Sequence, residues 1–412
     1  MKIPYRWELV AWLSLAYLLN QADRQILYVV LPLVKTDLGL TDVQAGFVAS
    51  VLTIVLAFMI PVAGYVGDIF SRKKIIVFSL LFWSLSTLMT GFASGLLYLV
   101  FVRSVATGVG EALYAPSAFA LIGEHHVEHR AQAMAIHQAA LYVGMVFSGL
   151  VAGYLGDQFG WRYAFWTFGF AGIAAAGLMH RRLRGSPARS LPAAGRPPAS
   201  EAMRAAVGKP TAVLLALGLG GSVFVNVGYL TWMPTYLHER FQLSLASAGF
   251  SSMFFHFMPA FLGVMLGGRL SDYFALKRPR FRLELQAAGL LMATPFLYLL
   301  GVTTSLVPTY FVLGVFGLFR GIYDSNIYAS LYEVVQPRFH ATATGAMTAF
   351  AFVLGALAPI MLGVMKQTVG LSVGLSSLAL VYLTAGISLC GAVWIFFERD
   401  YSQNTGETQC SV

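Results

Sequence analysis

Apolar runs of about twenty residues recur along the chain, each closed by charged residues or by turn formers. Segmenting at those breaks predicts helices over 8–34, 44–68, 75–95, 97–121, 131–156 and 163–180, and then over 210–236, 246–273, 283–303, 306–333, 341–365 and 370–397. About 20 apolar residues cross a bilayer as a helix, so each run is long enough to span one. Between the two sets lies His180 to Lys209, HRRLRGSPARSLPAAGRPPASEAMRAAVGK, rich in Pro, Ala, Gly and Arg and without apolar periodicity. The pattern predicts an all-α polytopic membrane protein with twelve transmembrane helices in two six-helix bundles, 1–180 and 210–400. A cytoplasmic linker over 181–209 and a tail over 401–412 complete it.

Composition narrows the class. Of 412 residues 58% are hydrophobic and 11% charged, where a soluble domain carries roughly 25% charged residues. That excludes an ordinary cytosolic enzyme, a disordered chain and a secreted disulfide scaffold. Cys390, in an apolar run, and Cys410, in the tail, make no framework. The first apolar run contains Asp23 and Arg24 and leads straight into further membrane segments, unlike a cleavable signal peptide.

The net charge of +9 sorts by side. Nineteen of the 27 basic residues fall in one set of loops, among them Arg72, Lys73, Lys74, seven in the linker region and the Lys277–Arg282 group. The opposite loops hold Lys35, Arg162, Arg240 and Lys366, while Arg24, Arg103, Arg269 and Arg320 lie in or at the edge of spans. The positive-inside rule then puts both termini and the linker in the cytoplasm, for which a bacterial inner membrane is the expected setting. The basic excess reports topology, so no nucleic-acid partner is expected.

The two halves echo one another. GYVGDIFSRKK from Gly64 to Lys74 and GRLSDYFALKR from Gly268 to Arg278 share G-x-x-x-D-x-x-x-x-[KR]-[KR], 204 residues apart. GVGEALY from Gly108 and GIYDSNIY from Gly321 form a second echo, and RAQAMA from Arg130 with HATATG from His340 a third. Three echoes in one order indicate a duplicated six-span unit.

On these residues the chain resembles the major facilitator superfamily over essentially its whole length. The loop after Gly64 is similar to that superfamily's G-x-x-x-D-[RK]-x-G-[RK]-[RK] signature, with Ile69 where a base is usual and Ser71 where Gly is usual. The resemblance implies two pseudo-symmetric bundles with nested inverted repeats and a mid-membrane substrate site, worked by rocking of the halves. It also implies a latch for the outward-facing state at Gly64, Asp68, Arg72 and Lys73, repeated at Gly268, Asp272 and Lys277. Gly144, Gly149 and Gly153 in the fifth span suit close helix packing.

Ionisable residues inside spans cost about 2.5 kcal/mol or more at mid-helix, so they face a cavity or a partner. Asp23 and Arg24 lie about 100° apart on a helix, and so share one polar face without pairing well. Arg24 offers a planar fork for carboxylate or phosphate, and Asp23 a carboxylate able to take up a proton. The competing reading is a structural ion-pair network tying the first span to the fourth. Glu111 follows Arg103 by eight residues, near one helix face, which makes Arg103 its expected partner and Glu111 a second proton site. Asn20, Tyr114, His137, Gln138, Tyr229 and Asn326 are further candidates to contact substrate. Arg320 and Asp324, spaced i, i+4, read as a self-satisfied pair, and His256 as a hydrogen-bonded packing histidine. The His125, His126, His129 cluster lacks further ligands for a metal. Tyr236 reads as an interfacial aromatic.

LNQADRQ from Leu19, GVGEALYAP from Gly108 and WMPTYL from Trp232 narrow the resemblance to two groups. One is the anion:cation symporters, which take up sugar acids with protons. The other is the spinster group, which moves lysolipids. In both, the first-span Asp and Arg and the fourth-span Arg and Glu are functional, roles that fall here on Asp23, Arg24, Arg103 and Glu111. One spacing departs: relatives usually place Gly four residues after the fourth-span Arg, but Gly108 falls five after Arg103, which rotates Arg103 relative to Glu111. The expectation is a non-enzymatic monomer in the bilayer. It takes up a small anionic solute with protons, needs no cofactor and draws on the proton gradient. The alternative is a spinster-like lysolipid or drug exporter.

Overall fold

Thr41 starts the second helix as a capping box, its hydroxyl accepting from the Gln44 N–H while the Gln44 side chain accepts from the Thr41 N–H. This helix is one of twelve helical segments in a computed structural model that describes residues 4–126, 129–184 and 208–409. The first six are α1 (Tyr5–Asp37), α2 (Asp42–Ile69), α3 (Arg72–Thr90), α4 (Leu96–His125), α5 (Arg130–Phe159) and α6 (Trp161–Arg182). Next come α7 (Pro210–Phe241), α8 (Leu245–Ala275), α9 (Phe281–Val302) and α10 (Leu306–Val334). α11 is built from His340–Gly355 and Leu357–Thr368. α12 runs through Leu371–Gly391, a π-helical stretch Ala392–Phe396 and Phe397–Gln409. Most of the linker, and Cys410, lie outside the described residues, which contain no strand.

Ten of the twelve are long and apolar enough to cross a membrane. The other two have visible reasons for falling short: α1 carries the polar stretch from Asn20 to Gln25, and α6 ends in His180, Arg181 and Arg182. Large apolar side chains such as Phe58, Leu97, Phe101, Val307, Phe311 and Trp394 stand exposed around the helices. Water would penalise so many, and lipid accepts them. The chain is a multi-pass membrane protein.

Contacts divide it into two compact units, Met1–Leu191 with Leu230–Phe254, and Pro192–Tyr229 with Phe255–Val412. The hairpin joining α7 to α8 thus belongs with the first six helices. Within the first unit α1 packs along α5 and α3 along α6, and within the second α9 packs on α12 and α10. Glycine allows the closest of these approaches. A Cβ on Gly321 would strike the Ala260 carbonyl, and one on Gly317 the His256 carbonyl, so α8 and α10 touch backbone to backbone.

The structure extends the internal repeat. Gly160, before α6, and Gly370, before α12, hold the left-handed backbone at φ +95° and +93°, a conformation that glycine adopts without strain. Arg72 pairs with Glu124, and Arg282 pairs with Glu333 at 2.5 Å, so each half ties the start of its third helix to the end of its fourth.

Termini are pinned by polar contacts. Asp400 accepts from the Thr211 N–H at 2.9 Å and so caps α7, while Lys209 Nζ donates to Gln403 at 2.7 Å. His126 Nε2 meets the Arg6 carbonyl at 2.8 Å and its ring packs on Trp7, so this part of the histidine cluster anchors the start of α1. At the other end of α1, Asp37 accepts from Arg162 at 2.5 Å and Trp161 at 3.2 Å. Those two bonds hold the Asp37 carboxyl below its ordinary range.

Candidate functional site

Helix α1 runs through the middle of the first unit, with every residue from Gln25 to Leu31 buried. A polar segment there must be answered by neighbours, and the answers come from α3, α4 and α5. Ser148 Oγ donates to the Ala22 carbonyl at 2.6 Å, and Tyr114 Oη donates to that of Leu13 at 2.5 Å. Glycines bring α4 close: a Cβ on Gly108 would press on Val55 and one on Gly110 on Trp83.

Four charges meet in a crossed arrangement. Arg24 Nε donates to Glu111 Oε2 at 2.5 Å. Arg103 Nη1 donates to Asp23 Oδ2 at 3.1 Å, and its Nη2 to the Asp23 carbonyl at 2.7 Å. The partner of Glu111 is therefore Arg24, where sequence spacing pointed to Arg103. The reason is a π-helical stretch, Leu99–Ala106, inside α4. A π-turn holds one more residue than an α-turn. It takes up the additional residue between Arg103 and Gly108 and turns Arg103 toward α1 at the level of Asp23.

The two pairs differ in access. Asp23 and Arg103 side chains are 4% and 1% exposed. Thr87 Oγ1 donates to the other Asp23 oxygen at 2.7 Å, and the Arg103 guanidinium lies over Phe165. This pair is a fully enclosed node joining α1, α3 and α4. Arg24, by contrast, is 26% exposed, above a Glu111 that is fully buried. Arg24 binds Glu111 through Nε, which leaves its two terminal nitrogens uncommitted. Among the described residues, Glu111 Oε1 has no partner although it is buried.

The other candidate residues of the first unit differ in their surroundings. Asn20 accepts from Gln21 at 2.9 Å, and its own buried Nδ2 has no partner among the described residues. His137 stacks on Tyr17 at 4.6 Å, is fully buried, and has neither ring nitrogen bonded among the described residues. Gln138 is exposed. Tyr114 is fully buried with its hydroxyl on the Leu13 carbonyl, so here it serves packing and not a cavity wall. Thr87 and Ser148 escaped notice in the sequence because isolated hydroxyls in apolar helices are common.

The second unit has its own polar cluster. Arg320 Nη1 lies 2.9 Å from His256 Nε2, closer than the 3.5 Å to Asp324 Oδ2. The ring of Tyr229 packs on His256 at 4.6 Å. Asn326, within α10, accepts from Ser271 at 2.6 Å, donates to Ser325 at 2.8 Å and is buried. Of the latch residues, the side chains at Gly64 and Asp68 lie outside the described residues, while Arg72 holds Glu124. A Cβ on Gly268 would meet nothing within 4 Å, and Lys277 lies over Tyr273.

The chain belongs to the Major Facilitator Superfamily, whose sequence model matches residues 13–359. "Protein spinster homolog 1" of Xenopus laevis is 27% identical over 391 residues, covering 89% of this chain and 74% of that one. The "Probable sulfoacetate transporter SauU" of Cupriavidus necator is 26% identical over 392 residues, covering 90% and 89%. In fold, the chain is similar to the crystal structure of a bacterial homolog to the human lysosomal transporter spinster, in an inward-facing and unoccupied conformation. That match has a TM-score of 0.79 at 23% identity and covers 98% and 99% of the two chains. Members of this family move solutes across membranes and are not enzymes.

Proposed function

We propose that this transporter takes up a small organic anion, a sugar acid or another carboxylate, together with a proton. The observation that carries the reading is the Arg24–Glu111 pair: a partly exposed guanidinium with two uncommitted nitrogens, closed on one side by a buried carboxylate. An incoming carboxylate or sulfonate fits those nitrogens and competes for the charge that keeps Glu111 ionised. A buried carboxylate deprived of its cation is costly, so Glu111 takes up a proton as the anion binds. Anion and proton are then linked through one arginine, with the proton gradient as the source of energy. The likeness to a sulfoacetate transporter supports an anionic solute.

The test is uptake into proteoliposomes of radiolabelled sulfoacetate and galactonate, with and without an inside-alkaline pH gradient. Accumulation that a protonophore abolishes is expected for one of these anions. Equal uptake without the gradient, and in Glu111→Gln, would show that protons are not coupled.

A second reading, a spinster-like lysolipid or drug exporter, is favoured by a different observation. An apolar groove of about 460 Å³ in the second unit is lined by Ala212, Val213, Leu217, Leu331, Met347 and Phe350, chemistry suited to an alkyl chain. Lysophosphatidylcholine in the same liposomes separates the two readings.

A further inference from the structure

Asp157 sits two residues before the end of α5, where a lone acid on a helix end would ordinarily face water. Instead, its Oδ1 accepts from the Leu245 N–H and its Oδ2 from the Ala246 N–H, both at 3.0 Å. These are the first two residues of α8, whose N–H groups have no partner within their own helix. The carboxylate also meets the positive end of the α8 dipole. One side chain therefore caps a helix from the other half of the sequence.

The same contact has no gap. A Cβ on Gly149 would strike the Gly249 carbonyl, and a Cβ on Gly153 would strike the backbone of Ala246. Both obstacles are main chain, which cannot step aside as a flexible side chain would. Gly149 and Gly153 lie four residues apart on α5, on the stripe that leads toward Asp157 four residues later. α8 itself passes from the first compact unit into the second between Phe254 and Phe255. Whatever holds its first turn thus fixes where the rod begins.

We infer that Asp157 is a conformational latch: it holds α8 against α5 at the face away from the linker, and this contact must break when that face opens during transport. Its placement mirrors Asp68. Each acid stands near the C-terminal end of the middle helix of a three-helix stretch, α2 or α5. A cap that bonds through backbone N–H groups releases cleanly, because the α8 groups it leaves can be taken by water.

The inference is independent of which solute is carried, and its readout is accessibility. In a background with Cys390→Ser and Cys410→Ser, a reporter Ala248→Cys is placed in α8, where the native side chain is fully buried. Its labelling by N-ethylmaleimide in detergent is followed with time. Asp157→Asn is expected to speed labelling by about tenfold, the scale of one hydrogen bond to a charged group, and Asp157→Glu to stay near the parent rate. Unchanged labelling in Asp157→Asn would overturn the latch, as would an equal rise in Asp157→Glu, which would point to packing. Gly153→Val wedges the same contact without touching the acid. A folded Gly153→Val protein that labels no faster than its parent also counts against the inference.

Discussion

Glu111 binds Arg24 through one carboxylate oxygen and keeps the other buried without a partner among the described residues. Under the proposed coupling, this carboxylate is ionised when Arg24 faces it and protonated when Arg24 is drawn away. Glu111→Gln imitates the second state permanently. Under the proposed coupling, this variant loses gradient-driven accumulation by more than tenfold yet still exchanges labelled anion for unlabelled anion across the liposome. Arg24→Gln loses both. If Glu111→Gln failed in exchange as well, the residue would belong to binding and not to coupling.

The Asp23–Arg103 pair predicts a stability effect. Removing one member of an enclosed ion pair strands the other, at a cost of about 3–5 kcal/mol. Asp23→Asn and Arg103→Met should each lower the melting temperature of detergent-purified protein by many degrees. The double variant Asp23→Leu with Arg103→Met should recover much of that loss, because apolar groups need no partner. Losses that simply add would mean the two residues act separately.

Two repeat-related glycines should behave in opposite ways. Gly321 abuts the Ala260 carbonyl, so Gly321→Val overpacks a backbone contact, a class of change that costs about 1–3 kcal/mol or more. Little monodisperse protein is expected on size exclusion. Gly268 has open space where a Cβ would go, and Ala favours a helix over Gly by about 1 kcal/mol. Gly268→Ala should therefore leave the melting temperature unchanged or raise it.

Asp400 predicts a role for the closing segment of α12. It is fully buried and caps α7 through the Thr211 N–H. Asp400→Ala should cost about 1 kcal/mol, the usual value of a helix cap, and Asp400→Asn less. A melting curve that distinguishes neither variant from the parent would assign the capping to solvent.

Much of the architecture is legible from apolar runs because lipid forces each span to be continuous and apolar. The residues Asp23, Arg24, Arg103 and Glu111 are legible too, since a charge in such a run needs a reason. Their partners are not. Pairing depends on the rotation of α4, and no residue between Leu99 and Ala106 marks a π-turn. Asp400 lies beyond the last predicted span, which ends at 397, yet the helix continues and turns it inward. Asp157 reads as an ordinary helix-end acid because its partners are backbone groups, which carry no signature in sequence. Asn326 looks like a cavity residue by its place beside Asp324, but Ser271 and Ser325 satisfy it first.

The π-helical stretch in α4 has a consequence for comparing this chain with its relatives. A π-turn holds one residue more than an α-turn. A gap-free alignment of this helix with one that is α-helical throughout must then misassign either Arg103 or Glu111 by one position. Inferences about which homologue keeps the charged quartet should be drawn from superposed backbones on either side of Leu99–Ala106, with the indel placed inside that stretch.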